Sequence, residues 1–167
     1  MESLNFPEPD GAILAEDLNL LAVVRERIAS TELLIRELSR DDQAVKWLRR
    51  ILGIGEFFSV LIRYEVGEIG RFPSATRFVS YTGLVPSTYS SGGRTYHGRI
   101  TKQGNKYLRW AFVEAVTPAI RVSPALRAHY ERIKRRMGVK DARVSTARKL
   151  AEIVWYVWTE ERLYEVL

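Results

Sequence analysis

Apolar residues recur at seven-residue spacing through the first part of the chain: Leu14, Leu21, Ile28 and Ile35, with Val24, Thr31 and Leu38 between them. That spacing predicts an amphipathic helix over 12–39 with a coiled-coil-like seam. Asp17 interrupts the seam, which favours a helix pairing with a partner over a strong autonomous coiled coil. The segment is longer than most globular helices and leans towards dimerisation or an interdomain arm. Packing against its own domain is the plainer alternative.

A second apolar stretch, residues 44–66, is broken by Gly53-Ile54-Gly55 and carries the small Ser59 four positions after the second glycine. Helix, G-I-G, helix is the pattern of a helix-hairpin-helix, whose glycine turn lets backbone N–H groups approach a nucleic-acid phosphate. Gly53 and Gly55 are therefore candidate nucleic-acid contacts; a plain tight turn is the alternative. A turn over 67–72 leads to a short helix from Pro73-Ser74 to about Tyr81, ended by Gly83 and Pro86. The polar loop 86–104 can support a short hairpin around Gly92-Gly93. Asn105 or Thr101 caps the next helix, which Pro118 is expected to limit. Ser123-Pro124 starts a helix that closes at Gly138. Asp141 opens a last long helix with Ala147, Leu150, Ala151, Val154, Trp155 and Trp158 on its apolar face.

The expected fold is mainly α. It is a helical bundle with a helix-hairpin-helix-like unit and a polar Ser/Gly loop or small hairpin, preceded by a long coiled-coil-like helix. The expected organisation is a flexible lead over 1–11, the long helix over 12–43 and the main domain over 44–167.

Composition narrows the function. With 167 residues, 46% of them apolar, the chain supports one ordinary domain with a sizeable core. The absence of cysteine excludes disulfides, thiolate metal sites and a cysteine nucleophile. No apolar run is long enough to span a bilayer, and the acidic N-terminus resembles no export signal. A soluble cytoplasmic protein that contacts no membrane is expected. The net charge of +6 is unevenly spread: residues 1–50 carry −3, 51–85 carry 0, 86–120 carry +4 and 121–167 carry +5. Positive charge begins where the Ser/Gly loop begins, which points to a polyanionic partner. The alternative for the run from Arg132 to Arg136 is a solvated basic helix face.

Residues 86–109 combine serines and threonines with four glycines and five cationic side chains, without one carboxylate. Ser90 and Ser91 precede Gly92-Gly93, where a phosphate can come near the backbone. A serine hydroxyl needs a base, or charge that stabilises the developing alkoxide and phosphorane. Arg94, Arg99, Lys102, Lys106 and Arg109 can supply that charge, Arg94 being nearest in sequence, and Lys106 and Arg109 share a helical face. A solvated surface loop is the plain alternative. The acidic residues of the basic half (Glu114, Glu131, Asp141, Glu152 and a terminal group) form no tight set, so no metal or other cofactor is expected to be bound by the chain. His97 and His129 read as structural, and Trp110, Trp155 and Trp158 as core.

I-L-G-I-G (51–55), G-E-I-G-R-F-P-S-A (67–75), Y-T-G-L-V-P (81–86), S-S-G-G-R (90–94) and G-R-I-T-K-Q-G-N-K-Y-L-R (98–109) together resemble the C-terminal transposase domain of insertion sequences 110, 116 and 902. The resemblance covers about residues 45–120 in order and spacing. It implies a DNA recombinase with a serine nucleophile in this domain, partnered by a RuvC-like domain whose DEDD set binds Mg²⁺. It also implies a structured noncoding RNA that guides target and donor choice. The nucleophile carried over is Ser91, with Ser90 as the fallback; Arg99, Thr101, Lys102, Asn105, Lys106 and Arg109 are nucleic-acid contacts by resemblance. The RuvC-like domain is expected from elsewhere, in cis if the chain is a fragment or in trans otherwise, bringing Mg²⁺ with it. The chain alone is then expected to be inactive, and a homo-oligomer through the N-terminal helix is expected. The alternative from another class is a catalytically silent module that binds nucleic acid and dimerises.

Overall fold

The computed structural model describes residues 8–91, 94–100, 103–162 and 164, with only the backbone over 86–100. It divides into two units, residues 1–41 and 42–167. Among the described residues, the first unit holds one helix, α1 (Asp10–Ser39). Leu14, Leu21, Val24, Ile28 and Leu38 of the seven-residue seam are all exposed there, as are Leu18, Leu20, Leu33 and Leu34. Ser39, the last residue of the helix, donates from Oγ to the Ile35 carbonyl at 2.7 Å.

The second unit is mainly α. Its helices are α2 (Gln43–Leu48), α3 (Glu56–Val66), α4 (Ala75–Tyr81), α5 (Lys106–Val122), α6 (Pro124–Met137) and α7 (Val139–Thr159), with a 3-10 turn at Ile69–Arg71. Between α4 and α5 lie β1 (Pro86–Ser91) and β2 (Arg94–Ile100), paired antiparallel with Ser91 opposite Arg94 and Ser90 opposite Thr95.

Short polar side chains cap α2, α4, α5 and α6. Asp42 Oδ1 accepts from the Val45 N–H at 3.1 Å, and Ser123 Oγ accepts from Leu126 at 3.2 Å. Asp42 also ties α2 to α3, its Oδ2 accepting from Arg63 Nε at 2.8 Å. Gly138, at φ +91, separates α6 from α7, so α7 begins at Val139 rather than Asp141. Pro118 does not limit its helix. α5 runs through it to Val122, because an internal proline removes one backbone bond while Ala111, Phe112, Ala115, Val116 and Ala119 bury the same face on both sides.

α7 is the central element, packed against α2, α4, α5 and α6. Ala147 and Ala151 let neighbouring backbones come close, and Leu150 and Val154 are fully buried beside them. Phe78 and Phe112 meet edge-on at 6.2 Å in the same core, and each such buried side chain contributes about 1.5–3 kcal/mol. Trp158 is buried, and Trp155 is half-buried with its Nε1–H donated to the Phe72 carbonyl at 3.1 Å.

Candidate nucleic-acid interface

The two glycines of the 53–55 turn have different surroundings. Gly53 has φ +90, and a Cβ there would lie 2.5 Å from the Ala115 carbonyl oxygen and 2.7 Å from Ala119 Cβ. Glycine is needed at this position for the turn to seat on α5. Gly55 has φ −80 and opens α3 with no side-chain cap, and a Cβ there would meet nothing within 4 Å. The backbone at Gly55 is therefore open to an incoming group. Ser59 is buried, its Oγ donating to the Glu56 carbonyl at 2.7 Å.

This turn lines an open groove of about 620 Å³ with Arg49, Arg50, Phe57, Phe58 and Pro118. Arg49 and Arg50 are exposed. Arg49 lies 3.6 Å from Glu56, whereas Arg50 has no ion-pair partner among the described residues. Phe57 and Trp110 remain about half exposed, at 51% and 47%, with ring centroids 6.2 Å apart. Phe58 completes the cluster, 5.4 Å from Trp110. Trp110 is thus a surface ring, contrary to its assignment to the core.

The hairpin is held at its foot by a second pair of glycines. A Cβ on Gly104 (φ +157) would lie 2.5 Å from the Tyr81 carbonyl oxygen and 2.7 Å from the Gly83 nitrogen. The Asn105 N–H donates to the Tyr81 carbonyl at 2.8 Å. Asn105 is engaged at both ends of its amide: Oδ1 accepts from Tyr107 and Leu108 at 2.9 and 3.0 Å, and Nδ2 donates to Glu65. Its present role is to cap α5 and to join α3 to the hairpin foot. Gly83, at φ +70, would place a Cβ 2.6 Å from Arg109 Nη1, so the guanidinium lies against the glycine. Lys106 is exposed, its Nζ 4.9 Å from the centre of the Tyr107 ring. The structure therefore brings Arg109 and the hairpin foot together. Thr101 and Lys102 lie outside the described residues, as do Gly92 and Gly93. The side chains of Ser90, Ser91, Arg94, His97 and Arg99 lie outside them too.

A second serine stands beside a histidine on α6 and α7. His129 Nε2 is 3.1 Å from Ser145 Oγ, and an Arg132 guanidinium nitrogen is 3.2 Å from His129 Nδ1. An arginine can only donate, so Nδ1 accepts and the neutral ring carries its proton on Nε2, pointing at Ser145. That tautomer cannot deprotonate the serine. Burial pushes the His129 pKa below its ordinary value, and the charges of Arg132 and Lys149 add to the effect.

Among the described residues, no three His, Asp or Glu side chains converge as metal ligands would. Among the described residues, the scattered carboxylates therefore offer no ready-made set of ligands for Mg²⁺. No helix among the described residues is long and apolar enough to cross a membrane.

Residues 45–131 match the transposase IS116/IS110/IS902 family. The chain belongs to that family. The match takes in the glycine turn, the hairpin and its foot, and helices α3 to α5. The chain is 28% identical over 167 residues to a probable family 20 transposase of Pseudomonas aeruginosa, covering 98% of this chain and 49% of that protein. It is 27% identical over 151 residues to the transposase for insertion sequence element IS1328 of Yersinia enterocolitica, covering 83% of this chain and 43% of that protein. The transposase for IS1111A of Coxiella burnetii is 26% identical over 147 residues, covering 83% and 39%. The chain spans about half the length, or less, of these relatives.

Proposed function

We propose that this transposase-family chain is the serine-bearing part of a DNA recombinase, acting on phosphodiesters with Ser91 as nucleophile. The observation that supports this reading best is the hairpin register: Ser91 ends β1 directly opposite Arg94, at the tip of a hairpin fixed at its foot by Gly83, Gly104 and Asn105. Ser91 Oγ attacks phosphorus as its proton passes to a base. One P–O bond forms to serine, one P–O bond to deoxyribose breaks, and the leaving sugar hydroxyl takes up a proton. Arg94 stabilises the charge on the non-bridging oxygens. The ester conserves the phosphodiester's energy, so the hydroxyl of another strand reverses the attack, joins the DNA and frees the serine. Mg²⁺ chemistry belongs to a RuvC-like acidic domain acting together with this chain, and a structured noncoding RNA is proposed to choose the DNA partners. Arg99, Lys102, Lys106 and Arg109 carry phosphate contacts, with Thr101 beside them.

Binding is the first test. Affinity of the chain for duplex DNA is expected to fall by at least tenfold between 50 and 200 mM salt, the loss expected when several phosphate contacts release counterions. Binding that ignores salt, measured by anisotropy of a labelled duplex, contradicts a phosphate-directed basic face.

The exposed heptad residues of α1 support self-association through that helix. An Ile28→Asp substitution places a charge on the seam and is expected to convert an oligomer into a monomer in sedimentation velocity. A wild-type chain that is monomeric at micromolar concentration removes this part of the proposal.

A further inference from the structure

We infer that the groove beside the 53–55 turn binds one unpaired nucleobase, stacked on Phe57 of its lining with Trp110 edge-on behind that ring, and its flanking phosphate drawn to Arg50. The inference rests on the nucleic-acid reading above and gives it a new site, on the α3 side of the domain rather than on the hairpin.

Three observations point to this occupant. The groove, at about 620 Å³, lies in the size range of small-molecule sites. Phe57 and Trp110 stay half exposed although Trp158 of the same domain is buried. The exposed face of a single ring can receive the face of a base, and every base has one; Trp110, at 77° to Phe57, holds that ring from the side. Charge supplies the third. Glu56 offsets Arg49, which leaves Arg50 as surplus positive charge in the lining, and the backbone at Gly55 is open. A purely apolar helix would cover the rings but leave Arg50 facing hydrocarbon without a counter-charge. A base with its phosphate satisfies both. The base must be unpaired, because a duplex hides base faces in its stack.

The test uses the full chain and three labelled probes of equal length: an oligothymidylate, a fully abasic deoxyribose-phosphate strand, and a duplex. The chain is expected to bind the oligothymidylate about tenfold more tightly than the abasic strand, the size of one stacking contact. Phe57→Ala and Trp110→Ala are each expected to erase that preference, with duplex affinity changed less than twofold. Trp110→Tyr is expected to keep it. Equal binding of the thymidylate and abasic strands overturns the stacking site and leaves the proposed function standing. So does a preference that survives both alanine variants, or a loss equal for all three probes. Failure to bind any probe at low salt overturns the inference and the nucleic-acid reading together.

Discussion

Gly53→Ala is expected to lower the melting temperature by about 10 °C, whereas Gly55→Ala, two residues away, is expected to lower it by no more than about 3 °C. The added Cβ at Gly53 would sit 2.5 Å from a backbone oxygen of α5 and 2.7 Å from Ala119 Cβ, at φ +90. Relief requires the turn to lift from the helix. Left-handed backbone costs about 1–2 kcal/mol for a non-glycine residue and overpacking about 1–3 more. A loss of about 3 kcal/mol corresponds to about 10 °C in a domain of this size. At Gly55 the Cβ enters open space at φ −80, and only the weaker N-cap preference of alanine counts against it. If the phosphate approach proposed for this turn is made at Gly55, that variant loses affinity while keeping its fold. Equal melting temperatures for the two variants, by differential scanning calorimetry, contradict the packing assigned to Gly53.

The sequence made these glycines conspicuous without separating their roles. A G-x-G between apolar helices specifies a turn, but which glycine touches α5 depends on Ala115 and Ala119, some sixty residues away in the chain. Local signals were otherwise legible. Ser74, Asn105 and Ser123 cap the helices they precede, and Gly83 and Gly138 stand at positive φ. Pro118 is a local breaker by sequence, but the buried face of α5 carries the helix past it. Trp110 misled because helical periodicity identifies a ring's face but not whether a neighbour covers it. The foot of the hairpin was hidden for the same reason as Gly53: Gly104 against Tyr81 and Gly83 is a tertiary contact.

Ser91→Ala is expected to reduce strand exchange by on the order of 10³-fold or more when the acidic domain and guide RNA are supplied, the scale of deleting a nucleophile from an enzyme. Ser90→Ala is expected to retain most of the activity, since Ser90 lies opposite Thr95 and Ser91 opposite Arg94. Arg94→Ala is expected to fall between them, losing about 10²-fold as charge stabilisation is removed from the transition state. Binding of duplex DNA is expected to be unchanged in Ser91→Ala, which separates chemistry from affinity. A silent binding module predicts instead that neither serine matters and that no exchange accompanies binding.

The most direct measurement is the covalent bond. With the acidic domain, guide RNA and Mg²⁺ present, a DNA substrate with a nick placed to release the leaving strand is expected to trap a protein–DNA adduct. Peptide mass mapping of that adduct is expected to place the phosphoester on Ser91, and Ser91→Ala is expected to give no adduct. An adduct on another residue, or exchange at the wild-type rate in both Ser91→Ala and Ser90→Ala, contradicts the account.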